Sequence, residues 1–289
     1  GLDDAQLQNA EAGRLVIAEQ EAVLAHRIES ALGTGEASVE VMLRRAAGDR
    51  WGNPERWDEL GPRDPPPGRA DQVADVVAFL DDDAVVRSDD MGRQLRDRFA
   101  ADARLGGVSF RIVDPNSGAT AQRHVPRPGG AGLEREGEVT SFLGGASALS
   151  GPMFRSVGGY CAEFCYAHEE SDLAWRAVGS GWRFTYAPSL VVTHPMLPTT
   201  RHRGAIERSM RNRVWLVRRN LPLSVAMLHL MVWTAIGVAR SRSVGGLVSI
   251  AGGLRAGWSE APHSPHPPSC AQRWRTVWRL TRAGRPPIL

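Results

Sequence analysis

Three adjacent aspartates, Asp81, Asp82 and Asp83, directly follow an apolar run at residues 76–80. An uninterrupted apolar run of this length predicts a strand buried on both faces of a sheet. Ligands of open α/β sheets collect at the carboxyl ends of strands, and neighbouring carboxylates repel one another unless a cation compensates them. The triplet is either a solvated acidic turn or a site for Mg²⁺ or Mn²⁺ bridging a diphosphate, and the strand before it favours the metal site.

A second acidic group, formed by Glu169, Glu170 and Asp172, opens a predicted helix at residues 169–178. Carboxylates are common at helix N-termini because the helix dipole stabilises them, so capping alone accounts for the pattern. A carboxylate in a cleft can also act as a general base toward a hydroxyl group. His194 ends another predicted strand, where either a structural role or metal binding is compatible with its type.

Strands alternate with helices through the central part of the chain. This order predicts an α/β domain with a mainly parallel sheet flanked by helices. Residues 114–138 are rich in Gly and Pro, so we expect a long loop there, of a kind that is often functional. The predicted strands cover 38–43, 76–80, 107–113, 142–149, 182–186 and 190–193. The predicted helices cover 5–30, 89–103, 153–157, 169–178, 201–219 and 271–283.

The order of these motifs resembles that of the family 2 glycosyltransferases, which have the GT-A (Rossmann-like) fold. The resemblance covers residues 73–219 and includes the rhamnosyl- and galactofuranosyltransferases of that family. It implies an inverting enzyme that moves a hexosyl or deoxyhexosyl group from a nucleotide sugar to an acceptor hydroxyl group. Its elements are the aspartate-tipped strand, residues 142–145 and 154–160, the acidic helix start, the strands leading to His194, and residues 211–213.

The resemblance also implies a role for each residue near the aspartate triplet. Asp83, Asp81 and His194 would bind Mg²⁺ or Mn²⁺, and the metal would stabilise the departing nucleoside diphosphate. Asp81, Asp82 and Gly145 would contact the nucleotide-sugar donor. These are the residues that we expect to form the metal and donor site.

The acidic helix start would supply the catalytic residues. The resemblance implies that Glu170 is the general base, with Glu169 and Asp172 orienting it or binding the acceptor. Many relatives have Asp at the position of Glu170, so the assignment among these three carboxylates stays open.

The sequence divides into a predicted GT-A-like catalytic domain, residues 1–200, and a helical tail, residues 201–289. Within the first, residues 1–72 lack the nucleotide-binding motifs with which the family opens, so we expect an atypical nucleotide-binding part. This departure supports an alternative function, that of a catalytically inactive GT-A-fold binding or scaffold protein.

The tail differs from the rest of the chain in charge. Residues 1–199 contain 20 Arg against 30 acidic residues, whereas residues 200–289 contain 15 Arg against two, Glu207 and Glu260. A basic tail suits an anionic phospholipid surface, and the absence of a nucleic-acid-binding motif disfavours nucleic acid as a partner. The apolar stretch 221–239 is compatible with an interfacial helix, a membrane span or a buried core helix.

No export signal opens the sequence, and three cysteines do not suggest a disulfide framework, so we expect a cytoplasmic protein. Together with the basic tail, this places the predicted enzyme peripherally at the inner face of the cell membrane. Its acceptor would be a glycan, and a lipid-linked one suits that location. The corresponding process is the synthesis of a cell-envelope polysaccharide.

Overall fold

The computed structural model describes residues 39–44, as backbone, and 76–81, 84–88, 90–127, 132–164, 167–195, 204–241, 243–260 and 268–288. Asp82 and Asp83 lie outside these ranges, as do most of residues 1–72 and the predicted domain boundary near residue 200. The predictions made for those residues therefore stay predictions.

The described strands form one seven-stranded sheet. Its order is β1-β2-β6-β4-β7-β3, and β5 pairs with β7 beside this path. The strands are β1 (Val39–Arg44), β2 (Val76–Asp81), β3 (Val85–Val86), β4 (Leu105–Val113), β5 (Gly137–Val139), β6 (Ala146–Ser150) and β7 (Arg183–Thr193).

The α/β architecture, a sheet flanked by helices, is confirmed, but the direction of strand pairing differs from the expected mainly parallel sheet. β1 and β2 are parallel, as are β4 and β7. The pairings of β6 with β2 and β4, and of β7 with β3 and β5, are antiparallel. Apolar runs do not reveal this difference, because any strand covered on both faces loses its alternation of polar and apolar residues.

Helices cover both faces of the sheet. Along β2, Ala78 and Leu80 join a core that contains Leu95, whereas the intervening Phe79 joins a core that contains Leu173. Because successive side chains of a strand point to opposite faces, these two cores lie on opposite sides of the sheet. The helices are α1 (Met91–Ala101), α2 (Gly151–Ser156), α3 (Glu169–Ser180), α4 (Ala205–Asn220), α5 (Leu223–Arg240), α6 (Val244–Ser259) and α7 (Cys270–Arg282).

The last four helices form a layer that packs on α3. Val214 and Val217 of α4 share a core with Leu230 of α5, and Trp175 of α3 packs against it. The Gly-rich segment that follows α5, for which no helix was predicted, is α6. α5 is also the one helix of the described residues that is long and apolar enough to cross a membrane, with mean hydropathy 1.5 and 17% of its length buried.

Candidate functional site

The carboxyl ends of β2, β4 and β7 meet at one edge of the sheet. β4 runs parallel to β7, and β2 runs in the same direction because both β2 and β4 are antiparallel to β6. Asp81 is the last residue of β2, and His194 follows the last residue of β7. The His194 backbone N–H donates to the Val113 carbonyl at the end of β4, at 3.0 Å. The edge where α/β sheets bind ligands therefore carries both side chains.

Asp81, Gly145 and His194 lie together at this edge, and we call them the strand-end cluster. The Asp81 Oδ2 atom lies 3.4 Å from the His194 Nε2 atom. The Asp81 backbone N–H donates to the Gly145 carbonyl at 3.1 Å. A Cβ at position 145 would lie 2.1 Å from the Asp81 carboxylate, so any residue other than glycine would displace that carboxylate.

The chemistry of the strand-end cluster fits a divalent cation. Two ligand atoms of one octahedral Mg²⁺ or Mn²⁺ ion lie about 3 Å apart, close to the separation of Asp81 Oδ2 and His194 Nε2. Such ions usually take few protein ligands and complete their shell with substrate phosphates and water. Among the described residues, no three His, Cys, Asp or Glu side chains are grouped closely enough to hold a metal. The ion would therefore depend on Asp83, which is not described, or on the diphosphate.

A second imidazole, that of His124, faces His194. A 3₁₀ turn at Gln122–His124 places it there, and the two rings meet edge to face with centroids 6.3 Å apart. Burial, together with the neighbouring Arg123 and His194, lowers the pKa of His124 to about 4. His124 is therefore neutral near pH 7. Sequence reasoning missed this residue, because the Gly/Pro-rich loop that carries it gave no motif.

The first turn of α3 contains Glu169 and Glu170, as predicted from the sequence. Immediately before it, Ala167 and His168 both have positive φ angles, 67° and 70°. A left-handed conformation costs a non-glycine residue about 1–3 kcal/mol and persists only when its surroundings hold it in place. The backbone that leads into the acidic motif is therefore held under strain.

α4 supplies the contacts that hold this backbone. The buried Asn212 donates from Nδ2 to the carbonyl of Phe164 at 2.6 Å and to that of Ala167 at 3.0 Å. The Ser209 hydroxyl group lies 3.4 Å from the His168 ring. Burial lowers the pKa of His168 well below its usual value, so this ring is neutral. Asn212 thus fixes the segment from which Glu169 and Glu170 project.

Asp172 lies in a different environment from the other predicted site residues. Its side chain is completely buried and accepts hydrogen bonds from Arg176 Nε at 2.9 Å, Arg219 Nε at 3.0 Å and Asn220 Nδ2 at 2.8 Å. We call these four residues the Asp172 network. Of the two roles considered for Asp172, orienting the helix start is the one compatible with this enclosure, because its oxygens are already occupied by donors of α3 and α4.

Arg176 extends the Asp172 network to the segment after α2. Its guanidinium group donates to the Val157 carbonyl and, at 2.7 Å, to the Gly159 carbonyl. From the sequence, Asn212 was noted only as part of the motif at residues 211–213, and Arg219 only as one of the arginines of the basic tail. Their partners lie more than 40 positions away along the chain, a relation that spacing does not encode.

No known family model matches the sequence, and no curated protein matches it. Three solved structures illustrate what the fold is similar to. GalNAc-T7 with UDP, GalNAc and Mn²⁺ is 12% identical and matches over 62% of this chain and 37% of that chain, with a TM-score of 0.41. The mannosyltransferase PcManGT from Pyrobaculum calidifontis with GDP-Man and Mn²⁺ is 16% identical and matches over 91% of this chain and 83% of that chain, with a TM-score of 0.42. S. aureus TarS is 11% identical and matches over 63% of this chain and 33% of that chain, with a TM-score of 0.43.

The chain spans about a third of the length of two of these proteins, GalNAc-T7 and TarS. With TM-scores below 0.5 and identities of 16% or less, the likeness carries no conclusion about activity.

Proposed function

We propose that the protein is a glycosyltransferase of the GT-A type, which transfers a hexosyl or deoxyhexosyl group from a nucleotide sugar to an acceptor hydroxyl group with inversion. The observation that carries the proposal is the strand-end cluster, where Gly145 makes room for a carboxylate beside the His194 imidazole. The motif order of residues 73–219 supports the same function. Rhamnosyl or galactofuranosyl transfer is the finer form of the proposal, after the resemblance of the sequence to transferases of that type.

Asp81, Asp83 and His194 would hold Mg²⁺ or Mn²⁺, with Asp82 and Gly145 beside the donor. When bound, the ion neutralises charge on the departing nucleoside diphosphate. Glu170 takes the proton of the acceptor hydroxyl group, whose oxygen attacks the anomeric carbon. The bond from that carbon to the diphosphate oxygen breaks on the opposite face, so the configuration inverts. Glu169 and Asp172 keep Glu170 in place.

Two substitutions test these roles separately. Asp83→Ala should abolish both transfer and the Mn²⁺-dependent binding of a nucleoside diphosphate, measured by calorimetry. Glu170→Gln should abolish transfer and leave that binding unchanged, because the base does not contact the diphosphate. Asp97→Ala, an exposed aspartate of α1, and Glu207→Gln, a first-turn glutamate of α4, are matched controls.

The assay should include a panel of nucleotide sugars with either metal, and NMR should establish the configuration of the product. Transfer that survives Asp83→Ala, or a product of retained configuration, would contradict the mechanism. If no nucleoside diphosphate binds with any metal, the alternative of an inactive binding or scaffold protein is correct.

We further propose that the acceptor is a lipid-linked glycan at the inner face of the cell membrane, in cell-envelope polysaccharide synthesis. Residues 200–289 contain 15 Arg and only two acidic residues. This positive charge supports the proposed location, because anionic lipids attract basic segments. A polyprenyl-phosphate-linked sugar should then be a better acceptor than the same sugar free in solution. Equal rates for both acceptors would refute the lipid-linked part alone.

A further inference from the structure

Helix α6 packs on the protein through its glycines. A Cβ at Gly253 would lie 2.4 Å from the Glu207 carbonyl oxygen, and a Cβ at Gly257 would lie 2.5 Å from the Val214 Cβ. These two glycines are four residues apart and face α4, so the two helix backbones are in close contact. Small residues at this spacing are typical of helix pairs in an apolar environment.

The side of the same helix that faces away from the protein also carries large apolar side chains, whereas Ile250 is buried against the protein. Val244 is 77% exposed, and Val248 is also exposed. α5 repeats the pattern, with Leu223, Met231 and Val238 exposed along its length. Neither Asp, Glu, Lys nor Arg occurs between residues 223 and 239. A helix in water normally exposes polar residues on its outer face, so α5 and α6, which bury Leu230 and Ile250 and also expose large apolar residues, are apolar on both sides.

The outer face of α5 and α6, lined by Leu223, Met227, Met231, Val238, Val244 and Val248, therefore fits an apolar partner. Arginines adjoin it: Arg240 ends α5, and Arg218 stacks 5.2 Å from the Trp258 ring near the end of α6. A second copy of the chain would bring together two surfaces that are both strongly basic. Anionic lipid headgroups over an acyl layer match both the charge and the apolar face.

The packing of α5 and α6 also indicates how the bilayer is contacted. α6 packs along α4, and the hydrogen bond from Asn212 to the Phe164 carbonyl holds α4 in the protein. α5 is tied to the protein through His229, which hydrogen-bonds Pro287 and, at 3.1 Å, Arg213. Its 18 residues give a length of about 27 Å, near the lower limit for a bilayer span, so length alone does not separate spanning from docking. Docking through the outer face leaves these contacts of α5 and α6 with the protein intact.

We propose that α5 and α6 dock the protein onto an anionic bilayer in the plane of the interface, with this outer face in the acyl layer and no span. The inference deepens the membrane location proposed above, on which it rests, and is independent of sugar transfer. Such an arrangement keeps the strand-end cluster and α3 in water while a lipid-linked acceptor approaches along the membrane.

Vesicle sedimentation with the full-length protein tests the docking face. Wild type should bind vesicles that contain phosphatidylglycerol, and more weakly vesicles of phosphatidylcholine alone. The double variant Met231→Glu with Val248→Glu should bind the anionic vesicles at least tenfold more weakly, because it places charges in the acyl layer. Ile206→Glu, an exposed apolar residue of α4, should bind like wild type. Circular dichroism establishes that all three proteins are folded.

The turn between α5 and α6 distinguishes docking from spanning. Ser241→Cys, in a background with the native cysteines replaced by serine, should react with a membrane-impermeant maleimide added outside sealed vesicles. A cysteine that is protected until detergent is added would overturn in-plane docking. Equal vesicle binding by the Glu variant, or wild type that binds no vesicle but dimerises through this face, would overturn it as well.

These outcomes stand apart from the enzymatic proposal, because vesicle binding is measured without donor or metal. Transfer to a water-soluble acceptor should be unchanged in the Met231→Glu, Val248→Glu variant. Wild-type protein that transfers sugar but binds no vesicle would refute docking alone, and wild-type protein that binds vesicles but transfers no sugar would refute the enzymatic proposal alone.

Discussion

Two aspartates of this protein occupy opposite environments, although both were singled out in acidic stretches of sequence. Asp81, in the strand-end cluster, keeps 33% of its side chain exposed, beside His194 and the space above Gly145. Asp172, in the Asp172 network, is completely buried between two arginines. The charge of Asp172 is compensated by the protein itself, whereas that of Asp81 remains accessible to a ligand.

The difference follows from the cost of burying a charge. A buried carboxylate is stable only when donors and opposite charges surround it, and removal of one partner leaves the others uncompensated. A partly exposed pair contributes about 0–1 kcal/mol, because water screens it. The two regions should therefore respond in opposite ways to the same substitution, with stability lost in one and ligand binding in the other.

Asp172→Asn should produce the largest loss of stability. The amide keeps the shape of the side chain but removes the negative charge between Arg176 and Arg219, which should cost about 3–5 kcal/mol of unfolding free energy. Urea denaturation followed by circular dichroism measures this loss.

Asp102→Asn is the matched control, since Asp102 forms an exposed pair with Arg183 at 2.6 Å. Its cost should stay below about 1 kcal/mol. Similar losses for both variants would mean that the Asp172 network does not hold α3 to α4.

Asn212→Leu should have the next largest effect. It leaves the carbonyls of Phe164 and Ala167 without this donor and should cost about 2 kcal/mol of unfolding free energy. Transfer activity should fall further than the unfolded fraction explains, because the backbone before Glu170 loses its support. Asn116→Leu, at an exposed asparagine in the turn after β4, should change neither quantity. Full activity in folded Asn212→Leu protein would mean that Asn212 does not position Glu170.

The buried His229 should make the stability of the protein depend on pH. It lies beside the helix that carries the Asp172 network, where its ring contacts Trp175 of α3 edge to face. The pKa of His229 is lowered from 6.5 to about 4, chiefly by burial, which outweighs the opposing effect of the hydrogen bond to Pro287, while Arg213 also lowers it. In the unfolded chain His229 binds a proton below about pH 6.5, whereas in the folded protein it stays neutral down to about pH 4. Stability should therefore fall on acidification across this window.

His229→Gln should remove this contribution and flatten the dependence by up to about 1.4 kcal/mol per pH unit. Unfolding free energies from urea titrations between about pH 7 and about pH 5 measure the slope. Parallel curves for the variant and wild type would mean that His229 also protonates in the folded protein.

The sequence predicted Asp81 and His194 at one edge of the sheet because both stand at the ends of strands, where ligands of α/β sheets bind. Gly145 was expected there only from the family resemblance. The predicted strand 142–149 begins later, at Ala146, because residues 143–146 form the turn that brings the Gly145 carbonyl to Asp81. The Asp172 network could not be predicted, since Arg219 and Asn220 reach Asp172 only through packing of α4 on α3.

Helix α6 shows where local propensity fails. Glycine disfavours a helix interior by about 1 kcal/mol relative to alanine, so this Gly-rich segment gave no helix prediction. Gly253 and Gly257 lie against α4, where any larger side chain would collide, and the close packing of backbones offsets their low propensity. Tertiary contacts thus decide the structure of a segment whose composition suggested none.

Asp81→Asn should change the stability of the ligand-free protein least, by less than about 1 kcal/mol. The effect should appear when Mn²⁺ and a nucleoside diphosphate are added. Wild type should gain about 2.7 kcal/mol at a ligand concentration of 100 times Kd. The variant should gain almost nothing, because an amide is a weaker metal ligand than a carboxylate. Thermal unfolding with and without both ligands measures the gain.

Gly145→Ala sharpens this comparison, since its Cβ would displace the Asp81 carboxylate without removing a charge. It should lose the same ligand-dependent gain as Asp81→Asn. The folded fraction of Asp172→Asn should keep that gain, because the Asp172 network does not contact the metal. If instead Asp172→Asn lost it and Asp81→Asn kept it, the buried aspartate would be the one that serves the ligand, and the roles of the two regions would be reversed.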